Sequence, residues 1–411
     1  MKLYNSLSQE IEPFEPGADP LGIYACGITP YDITHLGHAF TYCSVDILIR
    51  YLEHGGRTVR YIQNVTDIDD DMVREAAIRD EDWKLMGDQW TEHFIEDMTT
   101  LNVRPPDDMP RASSAIPDIV QATQSLIESG HAYLEGGSVY FDLDSWPNYG
   151  KLSKLSKEEM LPIASERGNF PEDPNKRQPL DFVLWQAQAA GEPAWDSPWG
   201  PGRPGWHIEC SVLAGDLGVT LDVHAGGGDL IFPHHESEIA QSEALNNAPL
   251  SHTWMHIAMV EHKGEKMSKS LGNLIFIQSL LEGWSPNTIR LYLASHHYRE
   301  AWSHSEDDLE IAADWADTLR LAAQDRRGTG KAVETHEAEM AFAAAMENDL
   351  NTPEAIKVLL ELGLAIESAD EDGRAVEAAQ DTLKELAGTL GLRLIPGPPL
   401  PEIVDGWRRH L

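Results

Sequence analysis

Two histidines flank a glycine at the predicted start of a helix, in the string Thr34-His35-Leu36-Gly37-His38-Ala39. Backbone N–H groups and the helix dipole favour anions at a helix N-terminus. Gly37 presents no side chain that would obstruct a closely packed nucleotide. The string therefore predicts an anion site suited to nucleotide phosphates. Two surface histidines at a helix start are the alternative interpretation.

A second string, Lys266-Met267-Ser268-Lys269-Ser270, precedes Leu271-Gly272-Asn273. Two lysines on a loop can neutralise the charge that develops as pyrophosphate leaves. A solvated basic loop is the alternative for a string this short. The presence of both strings in one chain favours an ATP site.

Soft metal-ligating side chains recur at four separated positions. Cys26 ends the first predicted strand, Cys210 ends the string Gly205-Trp-His-Ile-Glu-Cys210, and His234 and Glu238 lie four residues apart. A spacing of four places two side chains on one face of a helix. Thiolate, imidazole and carboxylate ligands suit Zn²⁺. These residues are candidate zinc ligands, and ordinary packing is the alternative.

The elements that must position these residues begin with a βαβ unit. Residues 21–26 predict a buried strand, residues 38–54 a helix with an apolar face, and residues 57–65 a second strand. A strand, helix and strand in this order predict a parallel sheet and an α/β fold. The β/α pattern resumes after residue 205, and the chain is mostly helical after residue 277.

Composition shifts divide the chain into predicted regions around a Rossmann-type catalytic domain. Residues 144–204 are rich in Pro, Gly and Trp and predict an insertion with long loops. The predicted regions are the first half of the catalytic domain (1–110), an inserted connective region (111–204), the second half with the lysine loop (205–276), a helical connecting region (277–330), a helical bundle (331–395) and a tail (396–411).

Charge and composition limit the classes of function. The chain of 411 residues carries 31 Lys and Arg against 68 Asp and Glu, a formal charge of −37. A chain this acidic must concentrate its few basic groups to hold a polyanion, although the acidity can also reflect a saline habitat. Three cysteines make a disulfide framework implausible. We expect a cytoplasmic protein, because neither a signal peptide nor an 18-residue apolar span is visible.

These motifs resemble the cysteine-activating branch of the class I aminoacyl-tRNA synthetases over residues 1–392. That branch includes the enzyme that charges tRNA(Cys) and a shorter ligase of mycothiol biosynthesis. The resemblance implies a Rossmann-type parallel sheet with an insertion and a C-terminal helical bundle. It also implies activation of L-cysteine by ATP, with Mg²⁺, to give cysteinyl-adenylate on one bound zinc. Metal–thiolate bonding would reject serine more strongly than a pocket that senses only size.

The resemblance assigns roles residue by residue. It implies zinc ligation by Cys26, Cys210 and His234, with Glu238 as the fourth ligand of the synthetase, and phosphate contacts by His35, His38, Lys266 and Lys269. The residues implied to contact the cysteinyl group, the adenylate or the nucleotide are Cys26, Gly27, Thr29, Thr41, Thr66, Trp206, Gly227, Gly228, Asp229 and Val260.

The mycothiol ligase joins cysteine to the amine of glucosaminyl-inositol. Several short strings in this sequence favour that acceptor. The stretches 26–32, 34–42, 166–168 and 297–300 look like the mycothiol ligase, whereas Glu238 and the stretches 176–185 and 234–242 look like the synthetase. Residues 331–411 carry 7 Lys and Arg against 16 Asp and Glu, a net charge of −9, and end about 20 residues after the bundle. Because such a surface repels RNA, we expect transfer of cysteine to the sugar amine. Charging of tRNA(Cys) is the alternative.

A non-catalytic synthetase paralogue is a further alternative. Such a paralogue typically loses a catalytic motif, whereas both ATP strings and all the candidate zinc ligands are present here. We expect an enzyme with L-cysteine, ATP and glucosaminyl-inositol as its small-molecule partners, no membrane partner and a monomeric state.

Overall fold

The computed structural model describes residues 1–17, 19–267, 271–326, 328–395 and 397–411. The strands are β1 Lys2–Asn5, β2 Glu10–Pro13, β3 Leu21–Ile28, β4 Val59–Val65, β5 Ala132–Glu135, β6 Ser138–Phe141, β7 Phe182–Ala187, β8 Gly202–Pro204, β9 Leu221–Gly227, β10 Ser251–Ile257, β11 Val260–His262, β12 Glu265–Lys266 and β13 Trp302–His304.

The α-helices are α1 Leu36–His54, α2 Asp70–Arg79, α3 Trp83–Thr100, α4 Ile116–Glu128, α5 Lys157–Glu166, α6 Trp206–Leu213, α7 Glu236–Asn246, α8 Ile277–Gly283, α9 Pro286–Ala294, α10 Glu306–Ala322, α11 His336–Met346, α12 Thr352–Glu371, α13 Glu377–Thr389 and α14 Pro401–Arg408.

A parallel sheet with the order β10-β9-β3-β4 forms the centre of the fold. β3 pairs with β4 in parallel across the helix α1, which confirms the predicted βαβ unit and the α/β class. Ligands of open α/β sheets bind beyond the carboxyl ends of the strands. The segments after β3, β4 and β9, which carry most of the candidate residues, all begin at this edge.

Alternate residues of the sheet face two different hydrophobic cores. Ile23, Val223 and Met255 pack with α1 and the C-terminal helices. Tyr24 and Trp254 pack on the opposite face with residues from the insertion, α6 and α7. Burial on both faces explains why these strands read as continuous apolar runs. The face that carries Tyr24 also carries the candidate metal ligands.

The insertion is more regular than its sequence suggests. The glycines 136 and 137 before residues 138–143 predict a short strand pair there, and β5 and β6, which pair in antiparallel fashion, confirm it. The prediction of long loops over 144–204 is wrong in part, because β7 and β8 extend this sheet to four strands and α5 packs beside it. β7 pairs with β6 across the intervening α5, so local composition does not show this pairing.

A small sheet brings the lysine string towards the start of α1. β11 pairs with β12, which contains Lys266, and with β13. The backbone N–H of Leu36 donates to Ile275 O at 2.8 Å, and that of Ile277 donates to Thr34 O at 3.0 Å. These bonds join the histidine string to the segment that follows the lysine string.

The C-terminal third is helical, as predicted. Asn351 caps α12 through its side chain, which accepts from the N–H of Glu354. The tail contains an unpredicted helix, α14, which packs on α3 and whose Trp407 Nε1 donates to Val103 O at 2.9 Å. Within the described residues, no helix is long and apolar enough to cross a bilayer.

A buried ion pair joins this helical region to the catalytic sheet. Arg290 of α9 donates from Nη2 to the Asp46 carboxylate of α1 at 2.5 Å, and both side chains are 1% exposed. Arg290 also donates to Leu390 O at 2.8 Å and to Leu101 O at 2.9 Å. Burial raises the pKa of Asp46, but Arg50 and Arg290 together hold it below its usual value.

We predict that Arg290→Met lowers the free energy of unfolding by about 3 kcal/mol, because the buried Asp46 carboxylate keeps only Arg50 as a charged partner and two carbonyls lose their donor. Urea denaturation followed by circular dichroism measures the change. Arg320→Met is the control, since Arg320 pairs with Asp317 on an exposed helix face, and it should cost no more than about 1 kcal/mol. Equal losses in the two variants would contradict the prediction.

Candidate metal centre and nucleotide cleft

Four donor side chains from distant parts of the chain converge at one point. Cys26 lies near the end of β3, Cys210 in α6, His234 in an irregular helical turn before α7, and Glu238 in α7. Their ligand atoms all lie within 4.8 Å of one another, and all four residues are buried. Zinc ligands at 2.0–2.3 Å stand roughly 3.3–3.8 Å apart in a tetrahedron. The donor set and its spacing therefore fit one zinc ion.

A close approach of two strands sets the position of Cys26. The N–H of Gly27 donates to Asn64 Oδ1 at 2.8 Å, and the pairing of β3 with β4 is irregular between Ala25 and Ile28. A Cβ atom on Gly27 would lie 1.5 Å from Asn64 O. Only glycine fits this contact, so residue 27 has a structural role next to the first candidate ligand.

The two thiols differ in proton affinity. Burial raises the pKa of Cys26, whereas a hydrogen bond with Cys26 lowers the pKa of Cys210 to about 6. Burial lowers the pKa of His234, but the Glu238 carboxylate and the Cys210 sulfur outweigh it and raise that pKa to about 10. The pKa values of Cys210 and Glu238 are both lowered, which favours the deprotonated forms that bind a divalent cation.

Two histidines that flank the candidate ligands in sequence contact them directly. His207 Nδ1 lies 3.0 Å from His234 Nδ1, and His235 Nε2 lies 3.2 Å from Cys26 Sγ. Burial holds the pKa of both His207 and His235 below the usual value, so both rings are neutral. They orient the ligands through hydrogen bonds.

Sequence reasoning missed His224, whose Nε2 lies 2.8 Å from Glu238 Oε2 in a fully buried contact. His224 of β9 pairs in register with Tyr24 of β3, two residues before Cys26. Since alternate residues of a strand share a face, His224 lies on the same face of the sheet as Cys26. The sequence shows a histidine inside a predicted buried strand. It does not show which residue of β3 lies beside that histidine, so the contact with Glu238 could not be predicted.

A second, overlapping donor set shares Cys26 and Glu238 with the first and adds His224 and His235. This set contains one sulfur, and its His235 is bonded through Nδ1 to His256 at 2.7 Å. The first set contains two sulfurs, one with a lowered pKa, and is the softer of the two. Zinc favours it for that reason.

A cleft of about 1270 Å³ lies between the catalytic sheet and the insertion. Four of the residues assigned from the sequence line it, namely Thr29, Trp206, Asp229 and Lys266. Trp206 stacks on His234 with ring centroids 4.3 Å apart. One aromatic ring therefore separates the cleft from the candidate metal ligands.

Charged groups in the cleft are paired with one another. Lys266 Nζ lies 3.8 Å from Asp229 Oδ2, with both side chains partly exposed. Arg203 is almost buried and bridges Asp70 of α2 to Glu192 of the insertion. Lys269, which the sequence pairs with Lys266, lies outside the described residues.

The start of α1 differs from the sequence prediction in one respect. His35 is the N-cap residue, and its Nδ1 accepts from the N–H groups of Gly37 at 3.1 Å and His38 at 3.3 Å. The sequence predicts that an anion accepts from these N–H groups, but the His35 ring occupies that place in the structure. Because Nδ1 is an acceptor, the proton of a neutral His35 ring lies on Nε2, which is the atom able to donate to a phosphate. His38 stacks on His35 at 3.7 Å.

The other assigned residues lie outside the lining of this cleft. Thr41 Oγ1 donates to Gly37 O at 3.1 Å, and Thr66 Oγ1 accepts from Asn64 Nδ2 at 3.1 Å. Val260 is buried in β11. Among the described residues that line the cleft, His35, His38, Thr41, Thr66, Gly227, Gly228 and Val260 do not occur.

Comparison with known families identifies two regions. Residues 13–314 match the family described as tRNA synthetases class I (C) catalytic domain, and residues 341–394 match the DALR domain. All four candidate metal ligands, the cleft residues and the described part of the lysine string fall within the first match.

Curated relatives match along most of the chain. Cysteine--tRNA ligase of Synechococcus elongatus is 43% identical over 96% of this chain and 87% of its own length. The enzymes of that name from Dehalococcoides mccartyi and Shewanella sediminis are 42% and 41% identical over 97% and 95% of this chain, and over 88% and 85% of their own lengths.

Solved structures share the fold at low identity. Mycobacterium tuberculosis methionyl-tRNA synthetase with methionyl-adenylate has a TM-score of 0.60 and 14% identity, covering 91% of this chain and 90% of that chain. The leucyl enzyme of Agrobacterium radiobacter K84, in a ternary complex with tRNA, has a TM-score of 0.63 and 10% identity, covering 96% of this chain and 86% of that chain. Both support the predicted class I architecture.

We predict that Cys210→Ser loses bound zinc, because a hydroxyl is a weaker and more basic ligand than a thiol. Metal analysis of the purified protein measures the stoichiometry. Cys43→Ser is the matched control, since Cys43 is a buried thiol inside α1 whose pKa burial raises to about 11. Full zinc content in Cys210→Ser would rule out the proposed ligand set.

We also predict that His224→Phe weakens zinc binding by about 10- to 100-fold, because Glu238 loses the hydrogen bond that orients it. Phenylalanine keeps an aromatic ring against Trp254, on which His224 stacks at 4.5 Å. Competition with a chelator measures the affinity, and the exposed His252→Phe on β10 serves as the control. An affinity within twofold of the wild type would show that His224 does not tune the ligands.

Proposed function

Because the chain belongs to the class I tRNA synthetase family, with the catalytic domain of its (C) branch, we propose that it activates L-cysteine with ATP and transfers the cysteinyl group to tRNA(Cys). Its activity is that of an ATP-dependent, AMP-forming ligase. The observation that carries the choice of cysteine is the buried cluster of Cys26, Cys210, His234 and Glu238, one aromatic ring away from a large cleft.

The donor chemistry fits a resident zinc ion that recognises the substrate. Cys26, Cys210, His234 and Glu238 would hold Zn²⁺, which when bound supplies a Lewis acid able to take the cysteine thiol as a thiolate. Serine offers a harder, more basic oxygen and is excluded by this preference. Trp206, which forms both the cleft wall and the stack on His234, orients the amino acid and keeps water from the cluster.

Activation joins the cysteine carboxylate to the α-phosphorus of ATP, and the bond to pyrophosphate breaks. Lys266, which lines the cleft, follows the charge that develops on the leaving pyrophosphate. The Asp229 carboxylate, which lies beside Lys266 in the same cleft, accepts from a ribose hydroxyl. The contribution of these residues is positioning and charge neutralisation, as in other phosphorus transfers.

The comparisons support tRNA(Cys) as the acceptor rather than glucosaminyl-inositol, which the sequence favoured. The relatives at 41–43% identity are named cysteine--tRNA ligases and cover at least 95% of this chain, whereas the strings that favoured the sugar amine are each under ten residues long. Sequence identity over the whole chain is stronger support than these short strings. Most of the strings lie around the activation site, and the activation step is the same with either acceptor.

We predict cysteine-dependent ATP–pyrophosphate exchange, cysteinylation of tRNA(Cys), and no cysteinylation of glucosaminyl-inositol. The experiment supplies the purified protein with ATP, labelled cysteine and each acceptor separately, with serine replacing cysteine as the control. Transfer to the sugar amine alone would reverse the choice of acceptor. Absence of cysteine-dependent exchange in the zinc-loaded protein would reject cysteine activation itself.

A further inference from the structure

Arg167, in the insertion, forms hydrogen bonds with the turn that joins the nucleotide side of the cleft to the metal side. Arg167 follows the last residue of α5, and its Nη1 donates to the backbone carbonyls of Asp229 and Phe232, the latter at 2.8 Å. Both carbonyls belong to the segment between β9 and α7. Hydrogen bonds from a cationic donor to neutral acceptors are stronger than those between neutral groups.

The same part of the insertion also holds the start of α7. The Glu236 carboxylate accepts from the N–H groups of Leu152 at 3.1 Å and Ser153 at 2.8 Å. Tyr149 Oη lies 2.9 Å from Ser237 Oγ. The region from residue 149 to residue 167 therefore supports the backbone from residue 229 to residue 238 at several points, and Arg167 is the support nearest to the nucleotide side.

The two ends of the turn that Arg167 contacts are held by different partners. His234, on the metal side, has its own partners in Glu238 at 3.0 Å and His207 at 3.0 Å, and it stacks on Trp206. Asp229, on the nucleotide side, carries its carboxylate into the cleft towards Lys266. The direction of that carboxylate follows from the backbone of the turn, which Arg167 holds through the Asp229 carbonyl.

We propose that Arg167 is a positioning residue for ATP, which fixes the turn at residues 229–232 so that the Asp229 carboxylate meets the nucleotide while the metal centre keeps its geometry independently. The inference rests on the proposed function, because it takes ATP as the occupant of the cleft. It connects the insertion, which contributes no assigned ligand, to the activation step. It also gives residue 167, which the sequence marked only as part of a local resemblance, a physical role.

The test compares substrate dependence in Arg167→Met with that of the wild-type holoenzyme. Loss of charge-assisted hydrogen bonds to two carbonyls should raise the KM for ATP by about tenfold in pyrophosphate exchange. Zinc content and the KM for cysteine should stay within about twofold, since the partners of His234 are intact. Arg167→Lys, which retains a cation with several donors, should recover part of the loss.

A matched control comes from the same insertion. Arg177 pairs with Asp142 at 2.7 Å and lies over the ring of Tyr133 at 4.0 Å, away from the turn. Arg177→Met removes an equal charge and should leave the KM for ATP unchanged. An equal rise in both variants would show a general effect of charge and would overturn the proposal.

A double-variant cycle shows whether Arg167 acts through Asp229. In the Asp229→Asn background, Arg167→Met should change the KM for ATP by less than about twofold, since the group that it positions is already impaired. The same tenfold factor in both backgrounds would overturn the proposal. So would joint loss of zinc and activity in Arg167→Met and Arg167→Lys, because that result would make the residue a general structural support.

Failure of the proposed function gives a different pattern. If the wild-type protein shows no cysteine-dependent exchange, cysteine activation is rejected and the variants cannot rescue it. If the wild type exchanges and Arg167→Met keeps the wild-type KM for ATP, the inference about Arg167 is rejected and the activity stands.

Discussion

The structure depends on the burial of the Cys210 thiol and the Glu238 carboxyl, both with lowered pKa values, at one point on one face of a parallel sheet. Isolated charges are costly to remove from water and must be paired or bound to metal. Here Cys210 and Glu238 are compensated by His234 and His224, and neutral imidazoles surround them. The arrangement requires that β3 and β9 keep their register and that α6 and α7 pack beside them. A shift of β3 by one residue would turn Cys26 to the opposite face, and the same shift of β9 would remove His224 from Glu238.

The insertion is part of the packing that buries these side chains. A parallel sheet needs cover on both faces, and α1 with the C-terminal helices covers only one of them. The insertion, α6 and α7 cover the other and bury the candidate ligands. The cleft forms where this second layer leaves the carboxyl ends of the strands exposed. Recognition of the amino acid and enclosure of the nucleotide therefore depend on the same packing contacts.

Local patterns predicted what local physics determines. The βαβ unit and the placement of His234 beside Glu238 follow from residues close in sequence, and the structure contains both. His224, the strand β7 and the helix α14 were missed because each depends on partners far along the chain. His224 matters only through its register beside Tyr24, and α14 is held by contacts of Trp407 with α3 and Val103.

The choice of acceptor shows most clearly what short sequence motifs do not predict. Activation of cysteine is the first step whichever acceptor follows, so short strings near the activation site carry little information about the second step. Net charge is also a weak guide, because many basic side chains here are engaged by acids of the same chain, as in the pairs of Arg203 with Asp70 and Glu192. Information about the acceptor should lie where the acceptor touches the protein. The segment from Glu166 to Asp173 lines the cleft, and its first three residues resemble the mycothiol ligase whereas residues 169–171 depart from it, so a short string in this wall does not identify the acceptor.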